Sequence, residues 1–93
     1  MKARRKIKGI PEQEKSSSSD KAHFLVLYND DIHTIDYVTN SLMDICGHSP
    51  EQALQCTIII HNKGSYEVRK GTINYLTPMK TALSEKRLKA TIK

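Results

Sequence analysis

Phe24-Leu25-Val26-Leu27-Tyr28-Asn29-Asp30-Asp31 is the stretch on which the fold turns: a short apolar run stops abruptly in three side chains that carry oxygen acceptors. Such a run reads as a buried strand from His23 to Tyr28, closed by a turn because Asn and Asp side chains hydrogen-bond nearby backbone. Beyond it the hydrophobic period changes from two to three and four. Ile35, Val38, Leu42 and Ile45 share one helical face, and Gly47 suits a left-handed helix stop.

A second helix begins at Ser49, with Pro50 at its first position and Gln52 placed to close a capping box. It is expected to run over about residues 50–62, with Ala53, Leu54, Thr57, Ile58 and Ile60 as its apolar face and Gly64 as its stop. Tyr66 and Val68 alternate with charged residues, as in a half-exposed strand. Thr77-Pro78 reads as cap and first residue of a third helix over about 78–86, preceded by a single turn. Leu88, Ala90 and Ile92 then alternate with Lys89, Thr91 and Lys93 as a last strand. The order β-α-α-β-α-β predicts an α+β fold, three helices packed on a small three-stranded, mostly antiparallel sheet.

Ninety-three residues leave room for one small core and no large enclosed active site. The formal charge is +5. Residues 1–20 hold six basic side chains (Lys2, Arg4, Arg5, Lys6, Lys8, Lys15) against three acidic ones (Glu12, Glu14, Asp20), which assigns +3 to this leader and +2 to the rest. A nearly balanced domain without interleaved aromatics argues against nucleic acid as partner. The leader ends in Ser16-Ser17-Ser18-Ser19 and is too polar to offset the entropy of ordering. Residues 1–21 are therefore expected to form a disordered extension and residues 22–93 the folded domain. With no apolar run near the length of a membrane span and no signal-peptide core, a soluble, cytoplasmic protein without membrane association is expected.

Cys46 and Cys56 form no CxxC pair and His48 and His61 no HxxxH, so no metal site is expected. Hydrolysis would need Ser49 or Cys56 as nucleophile beside Asp30 and His61. Ser49 is explained by capping, and no glycine-rich oxyanion loop accompanies either residue. Recognition fits better. If the fold brings Asn29, Asp30 and His61 together, two oxygen acceptors and an imidazole suit a primary ammonium. An α-amine with a reference pKa of about 7.7–8.0 stays mostly charged at neutral pH, where an ordinary imidazole is mostly an acceptor. Asp31 reads as a turn residue, and His33 and His48 as exposed loop or cap residues.

Leu27-Tyr28-Asn29-Asp30-Asp31, then Gly47-His48-Ser49-Pro50-Glu51-Gln52-Ala53, then Ile60-His61-Asn62-Lys63-Gly64, in this order and spacing, resemble the ClpS family of adaptors for ATP-dependent Clp proteases. The resemblance covers about residues 22–93. It implies a non-enzymatic adaptor without cofactor that binds the exposed N-terminal residue of N-degron substrate proteins, typically Leu, Phe, Tyr or Trp. Such adaptors deliver substrates to a Clp AAA+ unfoldase, ClpA- or ClpC-type, partnered with the ClpP peptidase. It further implies that Asn29, Asp30 and His61 hold the substrate's α-ammonium, that Ile35, Thr57, Ile60 and Leu88 line the side-chain pocket, and that the N-terminal extension engages the unfoldase. His33-Thr34-Ile35 departs from the family's usual Thr-Pro-Met, which puts His33 at the pocket lip. Thr57 stands where a methionine often limits entry of β-branched side chains. A similar architecture in the ribosomal stalk protein's C-terminal domain offers the alternative of a pure protein-docking module.

Overall fold

The central strand is the apolar run itself. In the structure, a computed structural model that describes residues 21–93, β1 (His23–Tyr28) pairs antiparallel with both of its neighbours, β2 (Ser65–Gly71) and β3 (Ala90–Ile92), in the order β2-β1-β3. Three helices complete the expected β-α-α-β-α-β order: α1 (Ile35–Cys46), α2 (Pro50–Lys63) and α3 (Ile73–Glu85). Leu25 and Leu27 of β1, Leu42 of α1 and Leu76 and Leu83 of α3 are fully buried in one core with Ala53 and Ile60 of α2. The expected disordered extension over 1–21 lies, apart from Lys21, outside the described residues.

The local signals at α1 and α2 act as read. Gly47 and Gly64 take up φ of +73° and +95° and their N–H groups bond back to Met43 and Ile60, so each ends its helix in the left-handed conformation. Ser49 and Gln52 form a capping box, the Ser49 hydroxyl accepting from the Gln52 N–H at 3.2 Å. His48, expected to be exposed, is instead half-buried and its Nε2 lies 2.7 Å from the Val68 carbonyl. That carbonyl is available because β2 carries one residue more than β1: Leu25 faces Arg69 and Val26 faces Glu67, which leaves Val68 as a β-bulge. Burial, aided by the charge of Arg69 and opposed by the Val68 hydrogen bond, lowers the His48 pKa.

The third helix corrects the sequence reading. It starts at Ile73, not at Pro78, and the cap is Thr72, whose hydroxyl accepts from the Tyr75 N–H at 3.1 Å. Thr77 does not cap; its hydroxyl donates to the Ile73 carbonyl one turn back, at 2.7 Å. Leu76 and Leu83, seven residues apart and both fully buried, hold the earlier turn in helical geometry. Pro78 is tolerated because it sits on the exposed side, as does Asn74, the residue whose carbonyl it leaves without an intrahelical donor. Pro78→Ala is expected to stabilise the domain by about 1–2 kcal/mol, below the ~3 kcal/mol of a regular interior position, because proline also stiffens the unfolded chain. Thermal melting of the two proteins checks this.

The C-terminal end of α3 explains a second correction. Leu88 does not belong to the last strand, which is the three residues Ala90–Ile92. Arg87 adopts φ +66°, its N–H reaches the Ser84 carbonyl at 2.9 Å and the Leu88 N–H reaches Leu83 at 3.0 Å. This is a Schellman motif, which folds the residue after the left-handed position back onto the helix end. Leu88 is thereby buried in the core together with Leu83.

Candidate functional site

At the end of β1 the chain turns away from the sheet, and the Asn29 N–H donates to the Gly64 carbonyl at 2.8 Å. This bond ties the Asn29-Asp30 loop to the α2–β2 turn, three residues from His61. The result is a cleft between the start of α1 and the end of α2. It is lined by Asn29, Asp30 and His33 from the loop, Ile35 from α1, and Thr57, Ile60 and His61 from α2. Seven of the eight side chains singled out in the sequence thus meet at one place. Leu88 is the exception: it lies in the core for the reason given above and does not line the cleft. Tyr28, Thr34 and Val38 line it as well and were not singled out. Val38 stands one turn after Ile35 on the same face of α1, the signal that could have placed it there.

Asp30 is the best-anchored polar group. Its Oδ1 accepts from the backbone N–H groups of Ile32 at 2.9 Å and His33 at 2.8 Å, and its Oδ2 lies 2.8 Å from His33 Nδ1. Partial burial raises its pKa, but the His33 N–H, the His33 ring and the Ile32 N–H outweigh that and hold the carboxyl below the ordinary 3.8. Asp30 therefore builds the turn, a role expected of Asp31, while Asp31 is exposed. Three of the roughly four lone-pair positions of the Asp30 carboxylate are used within the loop, which leaves about one for a ligand. Among the described residues neither the Asn29 nor the His61 side chain has a hydrogen-bond partner, and both are exposed at the cleft mouth.

The apolar end is narrower. Thr57 is 3 % exposed, and its hydroxyl donates to the Ala53 carbonyl at 2.8 Å while accepting from the Thr39 hydroxyl at 3.0 Å. With the hydroxyl so committed, Thr57 offers the cleft a methyl group. Ile60 is buried behind it, and Ile35 stands at the rim, 42 % exposed. The cleft has a volume of about 20 Å³, enough for one water molecule or so. Its chemistry is an acidic and amide mouth over an aliphatic floor.

Neither cysteine lines the cleft. Burial pushes the Cys46 thiol up to about 11, against the opposing charge of Arg69, and also raises Cys56, so neither is a ready nucleophile. Among the described residues no group of three or more His, Cys, Asp or Glu side chains is placed to hold a metal ion, and no helix is long and apolar enough to cross a membrane.

Comparison with known proteins bears on the same residues. The family model described as ATP-dependent Clp protease adaptor protein ClpS matches residues 18–91. The ATP-dependent Clp protease adapter proteins ClpS of Campylobacter jejuni strains 81-176 and RM1221 are each 40% identical over 48 residues, 52% of this chain and 50% of theirs. The chain thus spans about half the length of the curated relatives it matches. Among solved structures, Agrobacterium tumefaciens ClpS2 bound to L-phenylalaninamide superposes with a TM-score of 0.72 at 22% identity, over 80% of this chain and 96% of that one, which is a likeness of fold. The family match extends over nearly all of the described residues and includes every element of the cleft, and on it the chain belongs to the ClpS family of Clp protease adaptors.

Proposed function

We propose that the cleft binds the N-terminal residue of N-degron substrates and that the protein hands these substrates, without chemistry of its own, to a cytoplasmic Clp AAA+ unfoldase of ClpA or ClpC type working with ClpP. The observation that carries this reading is the convergence of Asn29, Asp30 and His61 at the mouth of a cleft floored by Val38, Thr57 and Ile60, with Ile35 at its rim. A chain's first residue is the one place where a primary ammonium and an aliphatic or aromatic side chain leave the same carbon. The ammonium takes the remaining Asp30 position, the Asn29 amide oxygen and an imidazole nitrogen of His61. The side chain passes Ile35, which has to swing aside, since about 20 Å³ does not hold a leucine. L-phenylalaninamide, the molecule bound to Agrobacterium tumefaciens ClpS2, has a free α-amine and an aromatic side chain, which supports the same reading.

Fluorescence anisotropy with peptides that differ only in their first residue tests it. Peptides beginning with Phe or Leu are expected to bind, and acetylating their α-amine is expected to remove binding. Equal affinity for the acetylated peptide would reject the ammonium site.

A further inference from the structure

We propose that His33 is a fourth ligand-binding residue of the cleft, its Nε2 accepting a hydrogen bond from the N–H of the first peptide bond of a bound chain; this rests on the α-amine reading of the cleft given above. The first support is the tautomer. His33 Nδ1 lies 2.8 Å from Asp30 Oδ2, and an ionised carboxylate brings no hydrogen to that contact, so Nδ1 carries it. The neutral ring then has a bare lone pair on Nε2, which makes that atom an acceptor.

The second support is access. His33 lines the cleft, and its Nε2 has no partner among the described residues. The buried side-chain polar atom without a partner among those residues is His48 Nδ1, so His33 Nε2 is not sealed off among them. The third is rigidity. The ring stacks on Tyr37 with centroids 4.7 Å apart and planes at 17°, and the Tyr37 hydroxyl donates to the Lys86 carbonyl at 2.8 Å. An acceptor held by Asp30 on one side and by Tyr37 on another loses little freedom when a ligand arrives.

Counting donors then says what Nε2 is for. A primary ammonium has three N–H bonds, and Asn29, Asp30 and His61 supply three acceptors. The next N–H along a bound chain belongs to its second residue. His33 thus reads the presence of a peptide bond where the other three read the amine.

Two peptides beginning with Phe, identical except that the first linkage is an amide in one and an ester in the other, separate these roles in a titration at neutral pH, where the α-amine is mostly charged. The wild-type protein is expected to prefer the amide roughly three- to tenfold, the range of one neutral hydrogen bond. His33→Asn keeps a donor for Asp30 but has nothing at the Nε2 position, and it is expected to bind amide and ester alike while still requiring the free α-amine. His33→Gln, whose longer amide brings an acceptor to that position, is expected to keep part of the preference. Equal binding of amide and ester by the wild type, or an undiminished preference in His33→Asn, would overturn the role of His33. If the wild type binds neither peptide, or binds an acetylated one equally, the α-amine reading fails and the inference fails with it.

Discussion

Replacing Asp30 with alanine is expected to weaken binding of a peptide with a free α-amine by about 1.5–3 kcal/mol, roughly 10- to 150-fold, the value of a hydrogen bond to a charged group. The same change removes the acceptor for the Ile32 and His33 N–H groups, so it should also loosen the loop. Asp30→Asn separates the two effects. Its amide oxygen can take the place of Oδ1 and preserve the turn, whereas the charge and the Oδ2 acceptor are lost. Peptide titration and thermal melting are expected to show Asp30→Asn near wild-type stability but close to Asp30→Ala in affinity. Wild-type affinity in both variants would remove Asp30 from the site.

The same pair has a pH signature. The Asp30 carboxyl is held below its ordinary value in the folded protein, so its ionised form stabilises the fold. That contribution is complete above the unfolded aspartate value of about 3.9 and is lost as pH falls through the lower folded value. Acid unfolding of the wild type is thus expected to steepen below about pH 4 in a way that Asp30→Asn does not share.

Leu27→Ala carries the largest expected cost in stability. Leu27 is fully buried in the central strand, opposite Tyr66 of β2 and Ala90 of β3. Removing it leaves a cavity that two flanking strands cannot easily close, and about 2–5 kcal/mol is expected. Small domains lie toward the low end of the usual 5–15 kcal/mol, so the variant approaches the unfolding limit. Urea unfolding is the measurement; a loss under about 1 kcal/mol would mean that the core repacks. Ile32→Ala, at a position 85% exposed, serves as the contrast and is expected to stay within about 0.5 kcal/mol.

How much of this was legible follows from the range of the interactions. The Ser49 capping box and the left-handed stops at Gly47 and Gly64 involve neighbours along the chain and were readable directly. Thr77-Pro78 was an equally good local start signal, and it lost because Leu76 had a place in a core assembled from all three helices. Leu88 alternated correctly for a strand, but a left-handed arginine before it, which local preference disfavours, folded it onto α3 instead. Within the cleft, Asn29, Asp30 and His61 were visible through family spacing. Which of two adjacent carboxylates builds the turn was not, since Asp30 and Asp31 differ only in where their side chains point.

The bulge gives β2 one residue more than its pairing with β1 uses. Without Val68 every pair from Tyr28–Ser65 to His23–Gly71 could stay as it is, since Glu67 and Arg69 already face the consecutive residues Val26 and Leu25. The loss would fall instead on the core, which gives up a buried side chain, and on His48, which gives up the carbonyl 2.7 Å from its Nε2. Pairing in the interval from Ser65 to Gly71 should therefore survive the loss of one residue, which only closes the bulge, more readily than the gain of one, which would need a second bulge.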